Sequence, residues 1–243
     1  MKNIQGDQVA LFLSGQDVPI PECNIIIHQP TIKQIVMFKE SNFLTAINLF
    51  GKIHENAERV RNSNEQANQF NDFQILMALI NQDKNMQQSA DSLFKLIFPQ
   101  YIVEIDENTI SFYQEERRFG MIDLYNYEAF ENIINSLFAI PDKGNSYNPA
   151  NDKAKELAKK FKERADILAK QKKENINSVS LYGTYVSVLS VGMNIDINIL
   201  FNYTPFQLYN IFDRYWKKVN SDFYQRVSTM PMMDTSKMEE PDA

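Results

Sequence analysis

Apolar residues recur at spacings of three and four in one segment of this chain after another, and that period commits most of it to amphipathic helices. Ile32, Ile35, Val36 and Phe38 follow Thr31, which stands where a helix N-cap belongs. Phe43, Leu44, Ile47 and Phe50 follow Ser41, a second capping residue. The stretch from Glu55 to Gln74 is rich in Asn, Gln and charge and turns apolar at Phe70, Phe73 and 76–80; a helical stretch is expected there. Another is expected over 89–98, stopped by Pro99. Phe130, Ile133, Ile134 and Leu137 set a helix over 126–138. The last helix is signalled by Thr204 as cap and Pro205 at the first helical position, with Leu208, Tyr209, Phe212, Tyr215, Trp216 and Val219 along one face.

Strands are expected where this period lapses. Val9 to Leu13 is an unbroken apolar run before Gly15, Pro19 and Pro21, and Ile25-Ile26-Ile27 is β-branched and ends before Pro30. Tyr101, Val103 and Ile105 alternate with their neighbours, and Asp106-Glu107-Asn108 supplies turn chemistry before Ile110 and Phe112, which predicts a hairpin. The fold class is therefore α+β, predominantly helical, with a small β-sheet drawn from the N-terminal strands and the central hairpin. The Pro, Gly and Asn content of 141–151 marks a linker. It divides an α+β domain, 1–140, from a helical region, 152–229, and the unpatterned end, 230–243, reads as a mobile acidic tail.

Several kinds of chemistry lack their usual signatures. The seven glycines stand apart, so the chain has neither a phosphate-cradling loop nor a dinucleotide fingerprint. His28 and His54 fall in no metal-binding helix pattern, and Cys23 is the single cysteine, which rules out an internal disulfide and points to a reducing compartment. Cys23 and His28 read better as a small core residue and the polar end of a strand than as nucleophile and base. Glu115-Glu116-Arg117-Arg118 reads as a solvated turn, because adjacent acids point to different sides. No apolar run approaches membrane-spanning length, and 9–13 is too short for a signal-peptide core. The expectation is a protein without catalytic residues, cofactor or metal.

One helix is electrostatically opposite to its own protein. Residues 152–173 carry nine basic side chains against four acidic ones, a net charge of +5 in a chain whose total is −6. Ala154, Leu157, Ala158, Phe161, Ala165, Leu168 and Ala169 form a narrow apolar stripe suited to docking on another helix. Lys155, Lys159, Lys162 and Arg164 beside it, with Phe161 and Leu168 on it, are candidate partner-binding residues, and Tyr209 and Trp216 of the last helix are two more. A protein partner fits better than nucleic acid, because an acidic chain repels a polyanion and Phe161 is the helix's only aromatic. A nucleic-acid-binding regulator using 152–173 is the alternative.

Two stretches resemble the tail assembly chaperones of bacteriophages. One runs from Asn24 through Ile25-Ile26-Ile27-His28-Gln29-Pro30-Thr31-Ile32 to Ile35, followed by Phe43 and Leu49. The other comprises Ser187-Val188-Leu189-Ser190-Val191-Gly192-Met193-Asn194 and Asn202 to Asn210, then Asp213, Arg214 and Tyr215. A Lys/Glu/Ala-rich helix like 152–173 lies between such stretches in that group. The resemblance implies a non-enzymatic protein of the host cell cytoplasm, absent from the finished virion. It would bind the tape measure protein, keep it soluble, and help tail tube subunits polymerise around it. Self-association is compatible with that role and a membrane is not required. The resemblance carries no binding residue across, since the group has no fixed ligand motif.

Overall fold

The structure, a computed structural model, describes residues 6–138 and 180–228. It is predominantly helical α+β, as the periodicity predicts. Among the described residues the strands fall into two antiparallel sheets, one of two strands and one of three. The linker, the basic helix 152–173 and the acidic tail lie outside the described residues.

The chain opens with a correction. Val9 to Leu13, expected as a strand, lies inside α1, Gly6–Ser14. An apolar run this short carries no period, and packing decides: Phe12 is buried with its ring 5.3 Å from that of Phe206. Gly15, at φ +70°, ends the helix. The first strand is instead β1, Val18–Ile20, which pairs with β2, Ile25–Ile27, across a 3-10 turn at Pro21–Cys23. Val18, Ile20, Ile25 and Ile27 all face the core.

Thr31 caps α2, Ile32–Met37, in a full capping box: the Gln34 N–H donates to Thr31 Oγ1, and the Thr31 N–H donates to Gln34 Oε1. The next helix, α3, spans Glu40–Gly51, and its N-cap position is Lys39 at φ +72° rather than the expected Ser41. The Asn- and Gln-rich stretch resolves into α4, Ile53–Ser63, a 3-10 turn at Glu65–Gln69, and α5, Asp72–Gln82. Asn71 and Gln74 form a second capping box. Helix α6, Lys84–Ile97, begins earlier than the expected Ser89, because Asp83 caps it by accepting from the Asn85 and Met86 N–H groups.

The hairpin is present as β3, Ile102–Ile105, and β4, Ile110–Gln114, and a third strand, β5, Arg117–Ile122, joins it. Only Glu115 and Glu116 make the turn, and Arg117 and Arg118 already belong to the strand. Helix α7, Tyr127–Phe138, follows. Beyond residue 179 come α8, Leu181–Met193, α9, Ile197–Phe201, and α10, Pro205–Ser228. Thr204 and Gln207 repeat the capping box at α10.

Tyr182, Val186, Leu189, Leu200 and Leu208 bury into the same core as Phe12, Phe43, Phe94 and Phe130. Main-chain bonds reinforce this continuity: the Ile32 N–H donates to Tyr203 O at 2.8 Å, and the His28 N–H to Ile97 O at 2.8 Å. Residues 24–35 and 202–210, the stretches that carry much of the resemblance, are therefore neighbours in the fold.

Helices α4 and α5 are joined by charge as well as by apolar contact. His54 Nδ1 lies 2.9 Å from Asp72 Oδ2 and its Nε2 3.3 Å from Glu58 Oε1, while Arg61 Nη2 lies 2.6 Å from Asp72 Oδ1. The hydrogen bond to Asp72 first, and then the Glu58 and Asp72 charges, hold the His54 pKa above the usual histidine range. Burial alone would raise the Asp72 pKa, but hydrogen bonds from His54 and Arg61 outweigh it and hold it below the usual carboxylate range. The His54 contribution to stability is thus full below the ordinary histidine value and is lost as pH rises through its raised value. The Asp72 contribution is lost as pH falls through its lowered value. Thermal melting across neutral pH should show wild-type stability declining as His54 loses its proton, and His54→Gln should flatten that decline. An unchanged slope in the variant would assign the decline to other groups.

Candidate protein-binding surface

The sequence contains no charged residue between Glu174 and Asp196, a span that includes all of α8. A helix without any charge is expected to be largely buried. This one is not. Tyr182, Val186 and Leu189 enter the core, where Tyr182 meets Phe43 and Tyr209, and Tyr185 packs edge-on against Phe212 at 4.4 Å. On the other side Val188 and Val191 face solvent, with Val191 85% exposed, and Met193 is exposed at the helix end.

Both ends of α8 are fixed. Ser180 caps the first turn, accepting from the Gly183 N–H at 2.8 Å. The Glu40 carboxylate, from the start of α3, accepts from Ser180 Oγ at 2.5 Å and from the Tyr182 N–H at 3.1 Å. An anionic carboxylate at a helix N-terminus is favoured by the exposed N–H groups and the helix dipole. At the other end Asn194 takes the left-handed conformation, and Ser190 Oγ donates to Ile195 O at 2.8 Å. Gly192 lets α10 approach, since a Cβ there would overlap the ring and hydroxyl of Tyr215.

The apolar exposure continues beyond α8. Helix α9 packs against both α8 and α2. It buries Leu200 and leaves Ile197 exposed and Ile199 51% exposed. The end of α2 adds Val36, Phe38 and Met37, the last 76% exposed. Three elements that pack against one another, α8, α9 and α2, thus each present large apolar side chains to water, which makes them the candidate interaction surface.

Of the sequence-derived candidates, Lys155, Lys159, Phe161, Lys162, Arg164 and Leu168 lie outside the described residues. Tyr209 is a correction: it is buried between Tyr182 and Tyr185, and burial pushes its hydroxyl pKa up, so the core takes it rather than a partner. Trp216 is 41% exposed farther along α10, where the helix has left the core. Residues 188–199 and 36–38 were not among the candidates. The uncharged span from 175 to 195 is the signal for those on α8, and it does not reach 36–38 or 197–199.

Other groups with chemical potential are engaged elsewhere. Cys23 is buried, its Sγ 3.6 Å from Asn126 O, and desolvation followed by the Glu22 and Asp123 charges pushes its thiol up to about 12. His28 faces Asp17 at 2.9 Å. A polar cleft lies where the end of α1 meets the starts of α2 and α10. Its amides bond to the fold: Gln29 Nε2 donates to Gln16 O at 2.6 Å and Gln207 Nε2 to Leu13 O at 2.7 Å. Among the described residues no three His, Cys, Asp or Glu side chains gather as a metal site, and no helix is long and apolar enough to cross a membrane.

No family model matches this chain, and no curated protein or solved structure is detectably similar to it.

Proposed function

We propose that this chain is a bacteriophage tail assembly chaperone, a non-enzymatic protein of the host cell cytoplasm that binds the tape measure protein and assists tail tube assembly. The observation that carries this reading is the exposed apolar surface of α8, α9 and the end of α2. Its most exposed side chain, Val191, lies within 187–194, one of the stretches on which the resemblance rests. A tape measure protein is a long helical chain whose apolar faces need cover before the tube encloses them. An uncharged helical surface is complementary to such faces, and apolar contacts without interlocking ion pairs suit repeated, releasable binding along a long partner.

The test is co-expression with the tape measure protein of the same genome, followed by pull-down. Wild-type chain should retain it in soluble form. The double variant Val191→Asp/Ile199→Asp should lose at least about tenfold in retained partner, because two charges would be desolvated at the contact. Its own melting temperature should move little, since Val191 is 85% exposed and Ile199 half-exposed. Failure of the wild-type chain to retain or solubilise the partner would sink the chaperone reading, whereas undiminished binding by the folded double variant would sink this surface.

A further inference from the structure

The three-stranded sheet has two edges, and they are treated differently. Along β5 the edge is covered. Asn24 Nδ2 donates to Phe119 O, Gly120 lies directly against the carbonyls of Cys23 and Asn24, and a register shift between Phe112 and Tyr113 interrupts the ladder. Along β3, among the described residues, no strand pairs on the outer side. That strand carries no bulge, proline or lysine, three of the devices that ordinarily close an edge to strand addition.

The main-chain groups that this edge offers follow from the turn. The Asp106 N–H donates to Thr109 O at 2.9 Å, which makes Asp106 and Thr109 a hydrogen-bonded pair. In an antiparallel ladder such pairs alternate, so the next are Glu104 with Ser111 and Ile102 with Tyr113. The N–H and C=O groups of Val103 and Ile105 therefore point away from β4. The Val103 and Ile105 side chains pack on the core, which leaves Ile102, 61% exposed, and Glu104 on the outer face.

We propose that the open edge of β3 is a docking site for an extended, basic segment of another protein, which adds to the sheet as a fourth strand. Main-chain bonds to Val103 and Ile105 supply the attachment, and the outer side chains select the sequence. Charge decides between candidate occupants. A second copy that paired its own β3 here would have to set outward-facing residues opposite one another. Pairing Ile105 with Val103 of the other copy places Glu104 opposite Glu104, pairing Ile105 with Ile105 places Glu104 opposite Asp106, and pairing Val103 with Val103 places Glu104 opposite Ile102, so no register gives the carboxylate a cation. Like charges directly opposite each other destabilise a strand pair. A lysine or arginine opposite Glu104 has the reverse effect and also lies near the turn carboxylates of Asp106 and Glu107, while an apolar neighbour on the same face meets Ile102. This surface is separate from the α8 surface and does not depend on it.

The test uses the full chain and short synthetic peptides of alternating valine and threonine with a central lysine or a central glutamate. Amide exchange monitored by NMR should find Val103 and Ile105 fast in the free chain and slowed by the lysine peptide, with Ile102 and Glu104, already bonded to β4, changing less. The lysine peptide should bind about threefold to tenfold tighter than the glutamate peptide, with the difference shrinking as salt rises. Glu104→Lys, a substitution at an exposed position, should reverse the preference. Slow exchange of Val103 and Ile105 in the free chain would overturn the proposal, because the edge would already be covered. So would binding indifferent to the peptide's charge, or a dimer whose interface includes β3.

Discussion

Replacing Phe98 by alanine is expected to lower the free energy of unfolding by about 3–5 kcal/mol, the range for deleting a fully buried aromatic ring. Phe98 is 1% exposed and sits just past the end of α6, where three parts of the fold meet. Its ring centroid lies 4.6 Å from that of Phe112 on β4, 5.9 Å from Phe94 on α6, and 6.4 Å from Phe130 on α7. Its main chain is committed as well: the Phe98 N–H donates to Phe94 O and the Tyr101 N–H to Phe98 O, so the backbone is held at both ends and has little freedom to collapse into the space left by the ring. Chemical denaturation should show a lower midpoint with an unchanged slope. Trp216→Ala, at an exposed position on α10, should cost less than about 1 kcal/mol and serves as the control. Because Tyr182, Leu189 and Leu208 share the core with Phe98, loss of partner binding in Phe98→Ala should follow its unfolded fraction. A loss below about 1 kcal/mol would mean that α6, the hairpin and α7 are not held together through this ring.

The parts of the fold that were legible in the sequence are those where a local group settles the structure without help from the rest of the chain. Thr31 with Gln34, and Thr204 ahead of Pro205, satisfy helix N–H groups within a few residues, and both helices begin where the side chains say they should. Alternation in Tyr101 to Ile105 and the turn after it gave the hairpin for the same reason. The misses occur where tertiary packing overrides or replaces a local signal. Val9 to Leu13 is helical because Phe12 has Phe206 to pack against, and that partner is far away in sequence. Strand β1 contains Pro19 and reads as a breaker, yet a two-stranded ribbon tolerates a proline whose nitrogen faces outward. Strand β5 begins with Arg117 and Arg118 at its exposed end, where charge beside Glu115 and Glu116 gives the local signal of a solvated turn.

The binding surface was harder to read for a different reason. Periodicity finds the buried side of a helix from its contrast with a polar side, and in α8 that contrast is weak, because the polar side carries only the hydroxyls of Thr184, Ser187 and Ser190. The sequence could therefore announce an uncharged helix but not which of its residues stay in water. Tyr209 misled in the opposite sense. It lies on the same stripe as Trp216, but α10 crosses from core to solvent along its length, so one stripe is buried at Tyr209 and exposed at Trp216. Position along the helix decides, and that is set by where α7, α8 and α1 lie against it.

Gly120→Val should detach the corner formed by the Pro21–Cys23 turn and β2 from the large sheet. Gly120 is on β5 opposite Phe112, and any Cβ at that site would overlap the carbonyl oxygens of Cys23 and Asn24 and the side chain of Ile25. Two of those three obstacles are main chain, so no rotamer change relieves them. The corner itself is constrained: Asn24 is left-handed at φ +52°, and Asn126 Nδ2 donates both to Glu22 O at 3.3 Å and to Met121 O at 3.0 Å. The substitution must therefore move the corner or break β5, at a cost at or above the upper end of the about 1–3 kcal/mol typical of overpacking. Cys23 reports which occurs. In the wild-type chain its thiol is buried, its pKa is pushed up to about 12 by desolvation, and a thiol reagent should label it only as fast as the protein opens. Freed from the sheet, the thiol returns to water and to its ordinary acidity, so labelling of folded Gly120→Val should be faster by a factor of about ten or more. Slow labelling together with wild-type stability would show that β5 and the corner do not meet at Gly120, and the covered edge of the sheet would then have to be placed elsewhere.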